Sequence, residues 1–419
     1  MARVLLLIPT TSYRTADFLD AAGALGVEVT VGSEEPSTLE PWNPAGLLTL
    51  DFRDPGDCAR RALAFSELHP IDAVVGVDDD ATVAAAAVAE ALGLRHNPPA
   101  AAGAARHKGR MREAFAAAGV PSPRHRVFRL EDGPAAAARN ARFPCVLKPT
   151  FLAASRGVIR ADDEAELSAA WRRIAAILSE PDVARRGAVA AGEILVEDFV
   201  AGREVALEGL LTAGSLRVLA LFDKPDPLDG PFFEETIYVT PSRLPAQVQA
   251  RVADVAGRAA AALGLTEGPI HAELRLNAHG VWPIEVAARS IGGLCSRTLR
   301  FGTGMSLEEL LLRHALGRNV EEVERGAGAA GVMMIPIPKA GVLESVGGLE
   351  AARAVAGIDQ ITISAHLGQR LVPLPEGSRY LGFLFSRADT PERAEAALRE
   401  AHGRLDFQIA GQREGPAPR

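Results

Sequence analysis

Two glutamates stand close together in the stretch PIHAELRLNAHGVWPIEVAARS, Pro269–Ser290, and their spacing sets a chemical problem. The first half alternates with period two. Ile270, Ala272, Leu274 and Leu276 form one face, and His271, Glu273, Arg275 and Asn277 the other. In the second half Trp282, Ile284 and Val286 are apolar, while Glu285 and Arg289 share the opposite parity. This is a strand pattern on both sides of a turn. A three-residue loop, Ala278-His279-Gly280, would place Gly280 at the left-handed position. That loop pairs Asn277 with Val281 and therefore Glu273 with Glu285. A two- or four-residue loop would slip the register by one and send Glu285 to the apolar side, so the pattern favours the three-residue loop. Directly opposed side chains have Cβ atoms roughly 5 Å apart, and like charges there repel. Such a pair shares a proton, pairs with arginine or binds a hard cation. Magnesium is held by one or two carboxylates plus substrate phosphates, so the pair fits a metal–nucleotide site. A solvent-facing hairpin neutralised by Arg275 and Arg289 is the plainer alternative, and the hairpin alone does not choose.

The basic residues carry a second signal. Of 45 lysines and arginines, four are lysine: Lys108, Lys148, Lys224 and Lys339. In a chain so dominated by arginine and alanine, a position that stayed lysine is a candidate for a required ammonium. The net charge of −8 argues against nucleic acid or an anionic membrane as partner. Cys58, Cys145 and Cys295 form no CxxC pair, which suits a reducing, cytoplasmic setting without a thiolate zinc site. No window approaches the ~18 apolar residues of a membrane span. Gly326-x-Gly328-x-x-Gly331 spells a dinucleotide motif, but a strand follows it where a helix is needed, so it reads as a linker. P-loop, HExxH and Ser-His-Asp signatures are absent from the sequence.

Three layers of elements must position these residues. Residues 1–98 alternate strand and helix, which predicts a parallel sheet, with Asp80 as N-cap of an alanine-rich helix over 81–93. Next come a helix over 105–118 bearing Lys108, strands around RHRVFRL and FPCVLKP, and the loop TFLAASRGV. A helix over 163–179 leads to two strands around Gly202. Helices over 245–263 and 306–316 flank the hairpin. After about 317 the pattern becomes a smaller α+β one, ending in a helix with Thr390 as N-cap and Pro391 at its first position.

Five ordered pieces then resemble the ATP-grasp superfamily of carboxylate–amine ligases, most nearly the L-amino acid ligases that make dipeptides. They are ARHKGRMREAFAAAGVPSPRH, FPCVLKPTFLAASRGV, ILVEDFVAGREVALEG, LFDKPDPLDGPFFEETIYVTPS and HAELRL…PIEVAARSIGG. The resemblance implies an α/β ATP-grasp fold. It has a parallel N-terminal domain (1–98), an ATP-grasp domain (99–316) with a lid subdomain about 125–196, and a C-terminal α+β domain (317–408). A disordered tail (409–419) follows. It implies ATP and one or two Mg2+ ions, with Mn2+ able to substitute. Lys108 and Lys148 would lie near the phosphates, and the loop bearing Ser155, Arg156 and Gly157 would close over them, although Ala153 and Ala154 stand where glycine is common.

The same resemblance puts Glu197, Phe199 and Val200 at the adenine and Glu204 at the ribose. Glu273 and Glu285 take the metal-ligand positions, but Ala287 replaces an asparagine often found there, which leaves the number of metals open. Arg289 would steady the γ-phosphate as a catalytic group beside Lys148. Lys224, His271, Ser290, Gly292 and Gly293 would face substrate. The implied reaction joins a carboxylate to an amine through an acyl phosphate, with no protein nucleophile. Its partners are small molecules, with a homodimer implied by resemblance alone. Rival readings are a glycinamide-ribonucleotide- or carboxylase-type ATP-grasp chemistry, and an inactive nucleotide-binding regulator.

Overall fold

The computed structural model describes residues 1–411. The chain opens with β1 (Arg3–Leu7), α1 (Thr15–Leu25), β2 (Glu28–Ser33), β3 (Leu47–Thr49), α2 (Pro55–Leu68), β4 (Ala73–Gly76) and α3 (Thr82–Ala91). The strands form a parallel sheet in the order β3-β2-β1-β4, as the alternation predicts. Val4 to Leu7 are completely buried, the mark of a strand covered on both faces. Asp80 does not cap the alanine-rich helix. A 3-10 turn, Asp79–Ala81, comes first, and Ala81 holds the N-cap position without a side-chain bond. The Asp80 carboxylate pairs with Arg106 instead, because a full charge outcompetes a single backbone N–H.

The helix predicted over 105–118 is two helices, α4 (Pro99–Arg106) and α5 (Lys108–Ala117). His107 between them is extended, with φ −117° and ψ 105°. Its Nδ1 accepts from the Arg110 N–H at 3.3 Å, so it caps the new helix. The break places Lys108 in the first turn of α5.

From Pro123 the chain builds β5 (His125–Arg129), α6 (Gly133–Ala138), β6 (Cys145–Pro149), β7 (Ile159–Ala161), α7 (Glu164–Leu178), α8 (Pro181–Gly187) and β8 (Glu193–Asp198). The sheet is antiparallel in the order β5-β8-β6-β7. Leu167, Ala170, Trp171 and Ile174 of α7 pack on Leu147, Ile159 and Ile194. Asp163 caps α7 by accepting from the Glu166 N–H at 2.8 Å.

Beyond Gly202 run β9 (Arg203–Thr212), β10 (Ser215–Asp223), β11 (Ile237–Thr240), α9 (Ala246–Leu263), β12 (Gly268–Asn277), β13 (Gly280–Ala287), the short pair β14 (Arg300–Phe301) and β15 (Met305–Ser306), and α10 (Leu307–Ala315). The two strands flanking Gly202 belong to different sheets. β12 and β13 form the predicted hairpin with Glu273 opposite Glu285, but by another route. Asn277 pairs with Gly280, not Val281, so the turn has two residues, Ala278 and His279. This pairing alone would have turned Glu285 to the wrong face. A bulge corrects it: Leu274 pairs with Pro283 and Glu273 with Glu285, leaving Ile284 as the extra residue. Pro283 lacks an N–H and suits a bulged strand. The apolar side of the hairpin, Ile270, Ala272, Leu274, Val281 and Val286, joins one core with Met111 and Phe115 of α5 and Val252, Ala256 and Ala259 of α9.

The last segment carries β16 (Ala329–Ile335), β17 (Gly341–Gly347), α11 (Leu349–Arg353), β18 (Ile358–Ile363), β19 (Arg370–Leu371), β20 (Gly382–Ala388), α12 (Pro391–Arg404) and β21 (Asp406–Ala410). β11 pairs with β16, β16 with β20, and β20 with β18. Thr390 caps α12 and Pro391 begins it, as predicted. Ile409 and Ala410, placed by the sequence in a disordered tail, pair with β17 instead. The remainder of that tail, 412–419, lies outside the described residues.

The chain folds into two compact units, each assembled from separated segments. The first comprises Met1–Ser122, Val205–Leu221 and Leu244–Ala327. The second comprises Pro123–Glu204, Phe222–Arg243 and the described residues from Gly328. Ile237 and Val239 share a core with Met333, Ile335, Leu384 and Leu398, which is why the C-terminal segment belongs with the second unit. Among the described residues no helix is long and apolar enough to cross a membrane.

Candidate active site

In the first unit the chemistry centres on the β12–β13 hairpin. Glu273 and Glu285 face each other across the ladder, with side chains 20% and 27% exposed. Lys108, at the start of α5, reaches Glu285 with Nζ 3.3 Å from its carboxylate. The set of partly exposed carboxylate oxygens on one face matches what a hard cation such as magnesium takes, so these residues fit the metal.

Two residues past β13, Arg289 is committed to Asp79, with Nε and Nη2 at 2.9 and 2.8 Å from Oδ2. Its Nη1 donates to the Ser290 carbonyl at 2.9 Å. Burial by itself would lower the Arg289 pKa, but the charges of Asp79, Asp78 and Glu285 outweigh it and raise it. The same pair works in reverse on Asp79. Burial would raise its pKa, yet Arg289 and Arg106 hold it below the usual carboxylate range.

From His271, two residues before Glu273 on β12, runs a buried polar line. His271 is paired through Nδ1 with Glu208 Oε2 at 3.2 Å, and its Nε2 is 3.9 Å from Glu273 Oε1. Glu208 also accepts from the Ile291 N–H at 2.9 Å. Burial raises the Glu208 pKa despite these partners. Ser290 accepts from Arg14 Nη1 at 2.8 Å, and Arg14 Nη2 bonds Glu308 at 2.7 Å. These bonds fix the loop that continues into Gly292 and Gly293. Gly293 has φ +59°, and a Cβ at Gly292 would meet open space.

In the second unit Lys148 of β6 and Glu197 of β8 lie on neighbouring strands, Nζ to Oε1 2.7 Å, both buried. Phe199 has the Arg160 guanidinium 4.4 Å above its ring and Phe233 beside it. Val200 is half-buried. The loop carrying Ser155, Arg156 and Gly157 bends through left-handed residues at Ala154 (φ 54°), Ser155 (53°) and Gly157 (73°). It is tied down in this unit: the Gly157 N–H donates to Pro375 O at 2.9 Å, and Arg156 bonds Glu376 O and Glu180 at 2.7 Å. Lys224 is buried between Glu204 at 2.7 Å and Glu235 at 2.6 Å, with Nζ over the Tyr238 ring.

Family models match the chain in three places. An ATP-grasp N-terminal domain covers residues 19–96, an ATP-grasp domain 141–298, and an L-amino acid ligase C-terminal domain 2 residues 333–410. The structure of an L-amino acid ligase from Bacillus licheniformis superposes with a TM-score of 0.82 at 26% identity, covering 98% of this chain and 99% of that one. The chain is an L-amino acid ligase-like member of the ATP-grasp superfamily.

Curated relatives point the same way over a shorter span. Alanine–anticapsin ligase of Bacillus subtilis (strain 168) is 30% identical over 263 residues, 59% of this chain and 54% of its own length. A D-alanine–D-alanine ligase of Ectopseudomonas mendocina (strain ymp) is 27% identical over 214 residues, 48% of this chain and 62% of its own. The chain thus spans about half the length of the first relative. Phosphoribosylglycinamide synthetase from Anaerococcus prevotii shares the fold with a TM-score of 0.68 at 17% identity, covering 98% of this chain and 100% of that one.

In this ATP-grasp chain, sequence reading missed Arg14, Asp79, Glu208, Glu235, Glu308 and Arg112. Asp79 stood in the acidic run Asp78–Asp80 at the end of β4, and Glu235 in the acidic pair Glu234–Glu235. Arg14, Glu208 and Glu308 carried no local signal, since their meaning comes from partners as far as 294 positions away.

Proposed function

We propose that the protein is an ATP-dependent ligase that joins the carboxylate of one amino acid to the amine of another. The substrate carboxylate attacks the γ-phosphorus of ATP, ADP leaves, and the amine displaces phosphate from the acyl phosphate to form the amide. The observation that carries this reading is the direct opposition of Glu273 and Glu285, with Lys108 Nζ 3.3 Å from Glu285.

Glu273 and Glu285 would hold magnesium, which when bound supplies neutralisation of the phosphoryl charge. The chain's own groups do the rest. Lys108 and Arg289 offer fixed positive charge in the first unit, aligned before any substrate arrives. In the second unit Lys148 is a phosphate ligand, while Glu197, Phe199, Val200 and Glu204 hold the base and sugar. Ser290, Gly292 and Gly293 line the amino-acid site. Loop residues 155–157 would serve phosphate oxygens once the Arg156 and Gly157 N–H groups leave Ala153 O and Pro375 O, which they bond in this structure. The acting form is cytoplasmic.

The test is ADP release by the purified protein with MgATP across pairs of amino acids, with mass spectrometry of the product. Formation of ADP together with a dipeptide is the expected result, and Glu285→Ala should abolish it while the circular dichroism spectrum is retained. ATP binding without ADP from any pair would sink the ligase reading in favour of a regulator. Turnover that requires bicarbonate or a ribonucleotide amine would favour the other ATP-grasp chemistries.

A further inference from the structure

The bulge that brings Glu285 to face Glu273 has a side chain assigned to it. The extra residue, Ile284, offers its carbonyl to Arg112, whose Nη2 donates at 2.8 Å. Arg112 is 1% exposed and sits four residues after Lys108, so both project from the same side of α5. One helix face thus touches two neighbouring positions of β13: Arg112 the Ile284 carbonyl, Lys108 the Glu285 carboxylate. A bulge leaves a strand residue outside the ladder, and its carbonyl needs another donor. A guanidinium is a strong, charge-assisted one.

We infer that Arg112 is a positioning residue for the metal carboxylate Glu285, acting through the bulged Ile284 carbonyl. Without the bulge, the two-residue turn would pair Glu273 with Ile284 and send Glu285 to the apolar face. The cost of a residue with one extra rotation in its strand is met by the bond from Arg112. The helix therefore sets both the orientation of Glu285, through Arg112, and the charge beside it, through Lys108. Lysine at 112 keeps the charge and three rotatable donors but lacks the planar fork, and only in part replaces it.

The inference rests on the metal role proposed for Glu285, and the experiment separates the two. Mn2+ binding in the presence of a non-hydrolysable ATP analogue is titrated by electron paramagnetic resonance for the full chain and for Arg112→Met, Arg112→Lys and Glu285→Ala. Thermal unfolding of each reports the fold. Groups that orient metal ligands typically change affinity by about 10- to 100-fold, and a loss in that range is expected for Arg112→Met, with Arg112→Lys between it and wild type. The Mg2+ concentration for half-maximal ADP release should rise in parallel, with the KM for the amino acids unchanged. Wild-type Mn2+ binding by folded Arg112→Met, with Glu285→Ala impaired, overturns the inference and leaves the ligase reading standing. Wild-type binding by both variants overturns both. If Arg112→Met does not fold, Arg112→Lys decides: weakened binding supports the inference and wild-type binding overturns it.

Discussion

The guanidinium of Arg289 is held at the hairpin by Asp79, with Nε and Nη2 both on Oδ2. Because Asp79 is held below its ordinary pKa, its contribution to stability has a definite sign. A carboxylate with a depressed folded pKa stabilises above its unfolded value, near 4, and that stability disappears as pH falls through the folded value. Asp79→Asn should therefore cost about 1–3 kcal/mol at neutral pH. The difference from wild type should shrink on the acid side, below about pH 4. Urea unfolding of both proteins across that range measures it; a pH-independent gap would contradict the pairing. At this scale the sequence nominated Glu273, Glu285, Lys108 and Lys148 as candidate ligand groups, because strand parity and the scarcity of lysine suffice to single them out. It did not reveal Asp79 or Arg14, because a buried ion pair leaves no local trace when its halves lie 210 or 294 residues apart.

Among the elements, strand parity was legible and turn length was not. Two combinations put Glu273 opposite Glu285: a three-residue loop, or a two-residue loop plus a bulge. Both leave the same alternation away from the turn. Pro283 was the available sign, since proline inside a strand marks an edge or a bulge. The helix break at His107 was hidden for a related reason: alanine-rich sequence on both sides keeps a helical pattern through an interruption of one residue. Capping was legible where a single side chain decides it. Thr390 caps its helix as expected, Asp80 was drawn away by Arg106, and the Asp163 cap of α7 is seen in the structure alone. Asp163→Ala should lower stability by about 1 kcal/mol through the lost bond to the Glu166 N–H, read as a shift in urea midpoint with an unchanged slope. No shift would mean that the exposed end of α7 is held by packing alone.

Across the whole molecule, sequence reading cut the chain into consecutive stretches, whereas each folded unit is assembled from pieces separated by the other's residues. Local pattern cannot show this, because β9 and β10 read as ordinary strands although each passes from one unit to the other. The scarcity of lysine also has a meaning at this scale. Lys108, Lys148 and Lys224 are each buried and paired with glutamate, while Lys339 is exposed. An amine acylates only where the reagent can reach it, and burial against carboxylates shields these three. A limiting amount of an amine-reactive dye should thus mark Lys339 and the terminal amine, leaving the other three ammonium groups unmodified. Peptide mapping checks this, and early labelling of Lys108 or Lys148 would contradict it. The native chain then carries a nearly unique chemical handle, and a fluorophore can be attached without engineering a cysteine.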